Sequence, residues 1–142
     1  MDGEVEALVQ AGSVTTRYLR AGHGPPVLLL LAQWPRTAWG MALFRELAAS
    51  FRVVAPIRGA EAWGSSTPDD TSAWIRGLLD GLGLLEVRVV VDETLAPALV
   101  PVLEPDGDRI RTIRVVAPGN APGGEEVPGG LWRRQPRPPP GG

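Results

Sequence analysis

Several residue types are missing or scarce in this chain, and each absence excludes a class of chemistry. There is no cysteine, which rules out disulfides, thiolate catalysis and thiolate metal sites. A zinc site would need several carboxylates around the single histidine, His23, so we predict neither a metal nor a cofactor. Lysine is also absent, and all 14 basic residues are arginines.

Strong net charge and long apolar runs are lacking as well. A formal net charge of −2 argues against general binding to nucleic acid or to a membrane surface. The longest apolar run, residues 25–32, is too short to cross a bilayer and is typical of a buried strand. Because the acidic N-terminus has no apolar signal segment, we expect a cytoplasmic protein.

Strand-like and helix-like segments alternate along the rest of the chain. Two short alternating segments joined by a Gly-Ser turn predict a hairpin at an antiparallel edge. Four continuous apolar runs predict parallel strands, most of them covered on both faces. The six predicted strands are residues 4–10, 14–19, 27–31, 51–56, 87–91 and 109–116.

Helices are predicted between these strands. Thr37 is the predicted cap of a helix that runs to about Ser50, with apolar residues on one face. The next helix is predicted to begin at Asp69–Thr71, where acidic residues and a capping Thr are favoured, and to stop at Gly83.

This order of elements predicts an α/β protein with a mostly parallel sheet and helices on both faces, in three layers. At 142 residues the chain suits one domain, which we place at residues 1–118. Residues 119–142 are rich in proline and glycine, so we predict a disordered tail there.

Residues 10–119 resemble the N-terminal half of an α/β-hydrolase. GHGPPVLLLLAQWP is similar to the segment that leads into strand 3 and an oxyanion loop, and LFRELAASFRVVAPIRG to the following helix and strand. WIRGLLDGLGLLEVRVVV is similar to the segment that delivers the nucleophile elbow, and RIRTIRVVAPG to strand 6. The resemblance implies a truncated α/β-hydrolase-like fold whose catalytic motifs are degenerate.

The resemblance places the nucleophile elbow within Val87–Leu99. One alignment puts Thr94 at the nucleophile position, and a shift of one residue puts Glu93 there. Both glycines of the G-x-S-x-G motif are replaced in either case, although the strained elbow turn needs them. In the helix that follows, Pro101 removes a hydrogen bond to the carbonyl of Pro97.

A complete Ser-His-Asp triad is absent. His23 precedes its strand and should lie about 15–20 Å from Thr94, whereas a general base must be within about 3 Å. We therefore interpret Thr94 as a turn residue, with a nucleophile as the alternative. Asp92 and Glu93 are candidates for acid/base groups, and the alternative is a solvated acidic turn at a helix start.

The carboxyl edge of the predicted sheet is where a ligand is expected. The backbone N–H of Gln33 takes the oxyanion-donor position that the resemblance implies. Trp39 and Trp74 lie on helix stripes or helix starts, so we interpret them as core residues. We predict that the ligand-binding residues are Gln33, Trp34, Trp63 and Glu93.

Three functions remain open. The first is a binding or accessory subunit without hydrolase activity, associating with a second copy or another protein through edge strand 109–116. The second is a residual enzyme, either an ester hydrolase or an isomerase or cyclase that uses Asp92 or Glu93 on a small apolar substrate. It predicts an enclosed cavity and a desolvated carboxylate. The third is a decayed gene product.

Overall fold

The computed structural model describes residues 5–12, 14–35, 37–58, 63, 67–106 and 108–117. The tail predicted for residues 119–142 lies outside the described residues.

Strands in the described residues form one sheet. Their bounds are β1 Val5–Ala11, β2 Val14–Ala21, β3 Pro26–Leu30, β4 Arg52–Pro56, β5 Val87–Asp92 and β6 Ile110–Val116. The sheet has six strands in the order β1-β2-β4-β3-β5-β6. Each one falls within about two residues of its predicted position.

The sheet is antiparallel at one side and parallel over the rest. β1 and β2 form the predicted hairpin, and Gly12, with φ of 68°, supplies the left-handed conformation that its turn requires. β2 also runs antiparallel to β4. β4, β3, β5 and β6 are parallel to their neighbours, as their continuous apolar runs predict.

Helices cover both faces of this sheet. α1 (Ala38–Ala48) packs on one face, and α2 (Pro68–Leu82) and α3 (Ala96–Leu103) pack on the other. The two cores share β3, because Val27 and Leu29 join the α1 core while Leu28 and Leu30 join the α2 and α3 core. The predicted three-layer α/β architecture is confirmed.

Side-chain caps start the first two helices. Thr37 Oγ1 accepts a hydrogen bond from Gly40 N at 3.2 Å, which confirms the predicted cap of α1. The cap of α2 is Thr67, whose Oγ1 accepts from Asp70 N at 3.0 Å. The prediction that Thr71 caps this helix is therefore wrong: Thr71 is buried inside the first turns, since Pro68 begins the helix earlier.

The C-terminal part of α2 packs closely against the hairpin. A Cβ placed on Gly77 would lie 2.5 Å from the backbone N of Gly12 and 2.6 Å from the carbonyl carbon of Ala11. The glycine therefore allows the helix to contact the hairpin turn directly. Gly83, with φ of 69°, ends α2 as predicted.

α3 is shorter and less regular. It has 8 residues, contains Pro101 and begins after Leu95, which makes no side-chain capping hydrogen bond. A single 3-10 turn, Glu104–Asp106, follows it and leads towards β6. No helix in the described part of the chain is long and apolar enough to cross a membrane.

Candidate functional site

Asp92 ends β5 at the carboxyl edge of the sheet, and its side chain is buried. At 4% exposure it is the only buried charged residue among those that the structure describes. Its Oδ2 accepts a hydrogen bond from Ala32 N at 3.2 Å, and its Oδ1 accepts from Thr94 N at 2.8 Å. The carboxylate therefore joins the loop after β3 to the turn after β5.

A cleft of about 170 Å³ opens beside this carboxylate and is partly open to solvent. It lies at the carboxyl ends of β3 and β5 and at the N-terminus of α1, where open parallel sheets bind their ligands. Leucine and tryptophan side chains provide its apolar walls, and hydroxyl, amide and carboxylate groups its polar ones. Its lining residues are Leu31, Ala32, Gln33, Thr37, Trp39, Asp92 and Thr94.

Two of the predicted acidic-turn residues lie in different surroundings. Thr94 lines the cleft, although its side chain is largely exposed. Glu93 is exposed and is not among the lining residues. Its backbone N instead donates to Val116 O at 2.8 Å and extends the pairing of β5 with β6.

Trp34 belongs to the core and does not line the cleft. Its side chain is 3% exposed, and its Nε1 donates to Ala55 O at 3.0 Å. Its ring centroid lies 5.1 Å from that of Phe44 on α1. The loop after β3 turns the indole under α1, because burying the ring and satisfying its N–H are both favourable there.

Trp63 lies on the opposite face of the sheet, within the α2 side of the molecule. Its ring meets Trp74 edge to face, with centroids 5.5 Å apart, and the guanidinium of Arg58 lies over both rings at 4.8 and 4.3 Å. Burial lowers the pKa of Arg58, and the nearby Asp70 carboxylate opposes this shift. Of the residues predicted to bind a ligand, Gln33, Trp34, Trp63 and Glu93, only Gln33 lines the described cleft.

Trp39 is the aromatic residue of the cleft, and the sequence interpretation assigned it to the core. It is half-buried, and it both packs against the α1 core and lines the cleft. One signal favours this position. Trp39 lies in the first turn of the helix after β3, and the start of such a helix is at the carboxyl edge of a parallel sheet.

No group of three or more metal-ligating side chains occurs within the described residues. Asp92 is the only ionisable side chain among the described residues that line the cleft. The described cleft therefore offers one carboxylate, two hydroxyls, one amide and one indole for binding.

No family model matches the sequence, and no curated protein does. Solved structures do match. The epoxide hydrolase VrEH1 from Vigna radiata superposes with a TM-score of 0.67 and 22% identity, over 81% of this chain and 40% of that protein. The chain has an α/β-hydrolase fold.

Two further α/β-hydrolase structures agree. A serine hydrolase involved in carbazole degradation matches with a TM-score of 0.63 and 20% identity, over 80% of this chain and 48% of that one. The carboxylesterase CesB from Bacillus subtilis matches with a TM-score of 0.66 and 18% identity, over 80% of this chain and 42% of that one. The likeness at these identities establishes the fold alone. This chain spans less than half the length of the solved α/β-hydrolases it matches.

The oxyanion donors of an α/β-hydrolase include the backbone N–H of the residue after the nucleophile. If Thr94 takes the nucleophile position, that donor is Leu95 N, which is bonded to Asp92 O at 2.9 Å. If Glu93 does, the donor is Thr94 N, which is bonded to Asp92 Oδ1 at 2.8 Å. Asp92 therefore engages the donor in both alignments.

The turn after β5 also lacks the strained backbone of a nucleophile elbow. Among the described residues only glycines have a positive φ, whereas the elbow holds its nucleophile in a sharp, strained turn. His23 is exposed and precedes the five-residue β3. Thr94 follows the carboxyl end of the parallel β5, so the two residues are about one strand length, roughly 16 Å, apart.

Proposed function

We propose that this chain is an α/β-hydrolase-like protein without hydrolase activity that acts by binding, as a homo-oligomer or as an accessory subunit. The observation that carries the proposal is that Asp92 engages the donor of the turn after β5 in either alignment: its buried carboxylate accepts from Thr94 N, and its backbone carbonyl accepts from Leu95 N. A hydrolase needs such donors free for the oxyanion that forms in its transition state. Activation of a hydroxyl also requires an adjacent base. The single histidine, His23, precedes β3 and is too far from Thr94 to serve as that base.

Association through β6 is the second part of the proposal. β6 is an edge strand in the described sheet, and the 51% exposure of Val115 leaves an apolar side chain on it. Arg109 and Arg111 pair with Asp80 and Glu86, each at 2.8 Å, which holds the start of β6 against the rest of the molecule. An ordered edge strand with unpaired backbone groups is a template for another strand.

Ester hydrolysis tests the absence of hydrolase activity. Esters are the chosen substrates because solved structures with this fold include a carboxylesterase. The purified chain and its Thr94→Ala variant are each assayed with p-nitrophenyl acetate and p-nitrophenyl butyrate. We expect the same slow background turnover from both proteins. Specific esterase activity that Thr94→Ala abolishes would overturn the proposal.

Molar mass in solution tests the association. We expect at least twice the 15.1 kDa of one chain by light scattering, or a stable complex with another protein. Val115→Lys should return a homo-oligomer to the monomer, because a lysine on an edge strand blocks pairing. The matched control is Leu8→Lys, since Leu8 is exposed on β1 at the other sheet edge. Loss of the oligomer in the control alone would reassign the interface to β1.

A residual enzyme is the second candidate, and one observation favours it. Asp92 is a buried carboxylate beside the apolar walls formed by Leu31 and Trp39, an arrangement suited to acid/base chemistry on a small apolar substrate. Turnover of an ester, or of an epoxide such as styrene oxide, that is lost in Asp92→Asn but retained in Thr94→Ala would support this candidate.

A further inference from the structure

The charge inside the cleft restricts the ligands that it can accept. Asp92 is the ionisable residue of the described lining, and none of the other lining residues is basic. A carboxylate has about four acceptor positions, and the hydrogen bonds from Ala32 N and Thr94 N occupy two of them. An entering molecule therefore meets a negative group that still accepts hydrogen bonds, which favours a donor and opposes an anion.

The walls of the cleft set the size and the apolar character of the ligand. Its volume of about 170 Å³ is close to the roughly 150 Å³ of an apolar cavity that holds benzene. Leu31 offers an aliphatic surface, and Trp39 offers an aromatic ring, a group that attracts cations. The described cleft thus suits a molecule with one small hydrocarbon group and one positive donor.

Helix N-termini at the cleft favour anions and so oppose the effect of Asp92. A regular helix carries about half an elementary positive charge at its N-terminus. The contribution of α3 is reduced, since it has only 8 residues with a proline among the first two and proline has no N–H. In α1, Thr37 Oγ1 already accepts from Gly40 N. The full negative charge of the Asp92 carboxylate therefore outweighs these partial positive charges.

We propose that the cleft binds a small primary amine in its ammonium form. The ammonium group donates to the Asp92 carboxylate and lies near the Trp39 ring, and the hydrocarbon group lies against Leu31. This inference rests on the proposed function, in which the site binds a ligand without hydrolysing it, and it assigns the chemical class of that ligand.

Titration calorimetry with three benzyl compounds tests the proposal. Benzylamine, benzyl alcohol and benzoate share one ring and present a cation, a neutral donor and an anion. We expect benzylamine to bind about ten-fold more tightly than benzyl alcohol, because a hydrogen bond to a charged group is the stronger one. Benzoate should show no binding.

Variants identify the group responsible. Asp92→Asn should abolish the preference for benzylamine, whereas the matched control Asp69→Asn, at the exposed start of α2, should retain it. Trp39→Leu keeps an apolar wall but removes the aromatic ring. It should lower the affinity for benzylamine by about three-fold and leave the affinity for benzyl alcohol nearly unchanged. The Trp39→Leu result keeps the test decisive if Asp92→Asn fails to fold.

Three outcomes would overturn the inference. One is equal or tighter binding of benzyl alcohol or benzoate, and another is a preference that persists in folded Asp92→Asn. The third is loss of binding in Glu93→Gln, which would assign the charge to a carboxylate outside the cleft. Esterase activity is measured separately, so failure of amine binding does not by itself contradict the absence of hydrolase activity.

Discussion

α2 and α3 pack on the same face of the sheet, yet they differ in how their ends are specified. α2 has a capping box between Thr67 and Asp70, Pro68 in its first turn and Gly83 as its left-handed C-cap. α3 begins without a side-chain cap and contains Pro101. The turn before it depends instead on the Asp92 side chain.

This difference distinguishes α2, which belongs to the structural core, from the start of α3, which borders the cleft. α2 carries the local signals that define a helix, and its side chains also pack in the main core. Local sequence and tertiary packing therefore both specify its position. The start of α3 is specified mainly by one buried carboxylate that also lines the cleft. An α/β-hydrolase uses a glycine-containing elbow at this point, whereas this chain uses an Asp side chain bonded to the N–H two residues on, which is an Asx turn.

Replacing the glycine contact of α2 should have the largest effect on stability. Gly77→Val places side-chain atoms where the hairpin backbone already lies, so we expect the free energy of unfolding to fall by about 3 kcal/mol. Urea denaturation measures the change. The control Ala73→Val adds the same residue at an exposed position one turn earlier and should cost less than about 1 kcal/mol. Equal losses would mean that close packing does not position α2.

Removing the Asp92 carboxylate should destabilise the turn before α3. Asp92→Ala leaves the N–H groups of Ala32 and Thr94 without their acceptor, and we expect a loss of about 2–3 kcal/mol in the free energy of unfolding. Thermal unfolding beside Asp69→Ala, whose side chain is exposed, checks this value. A change within about 0.5 kcal/mol would show that the turn does not depend on this side chain.

Loss of the α2 cap should have a moderate effect. Thr67→Ala removes the acceptor of Asp70 N and should lower the free energy of unfolding by about 1 kcal/mol. Thr67→Ser keeps the hydroxyl and serves as the control. If both variants unfold at the same urea concentration, the capping hydrogen bond contributes nothing to α2.

Replacing the interior proline of α3 should have the smallest effect, and in the stabilising direction. Pro101→Ala restores an N–H facing the carbonyl of Pro97 and should raise the free energy of unfolding by up to about 1 kcal/mol. Pro97→Ala is the control, because an N–H in the first turn has no intrahelical partner. A less stable Pro101→Ala protein would indicate that α3 packs around the proline ring.

The fold was largely predictable because its signals are local. The run VLLLL, flanked by Pro-Pro and polar residues, predicts a strand covered on both faces, and Val27–Leu30 are completely buried. Thr37 acts as a helix signal through its hydroxyl, which caps α1, and Gly83 acts through its left-handed conformation. The misplaced start of α2 has a local cause too, since Pro68 and Asp70 favour Thr67 as the cap over Thr71.

The candidate site was predictable only in part. The carboxyl edge of the sheet and the turn at Asp92 follow from strand order, as does the position of Gln33. The tryptophans were assigned less well, because a loop residue can turn inward and a helix residue can face a cleft. Trp34 is held under α1 by its bond to Ala55, while Trp39 lies in the first turn of α1 and extends to the cleft.

The sequence by itself determined the alternation of strands and helices, the mostly parallel sheet and the position of the single histidine, His23, before β3. These properties depend on residue type and spacing within short segments. Only the tertiary structure decided that Asp92 is buried and bonded to Ala32, 60 residues away in the chain. It also decided that Trp39, and neither Trp34 nor Trp63, meets that carboxylate at one cleft. Those contacts join separate segments, and their geometry depends on how the layers pack.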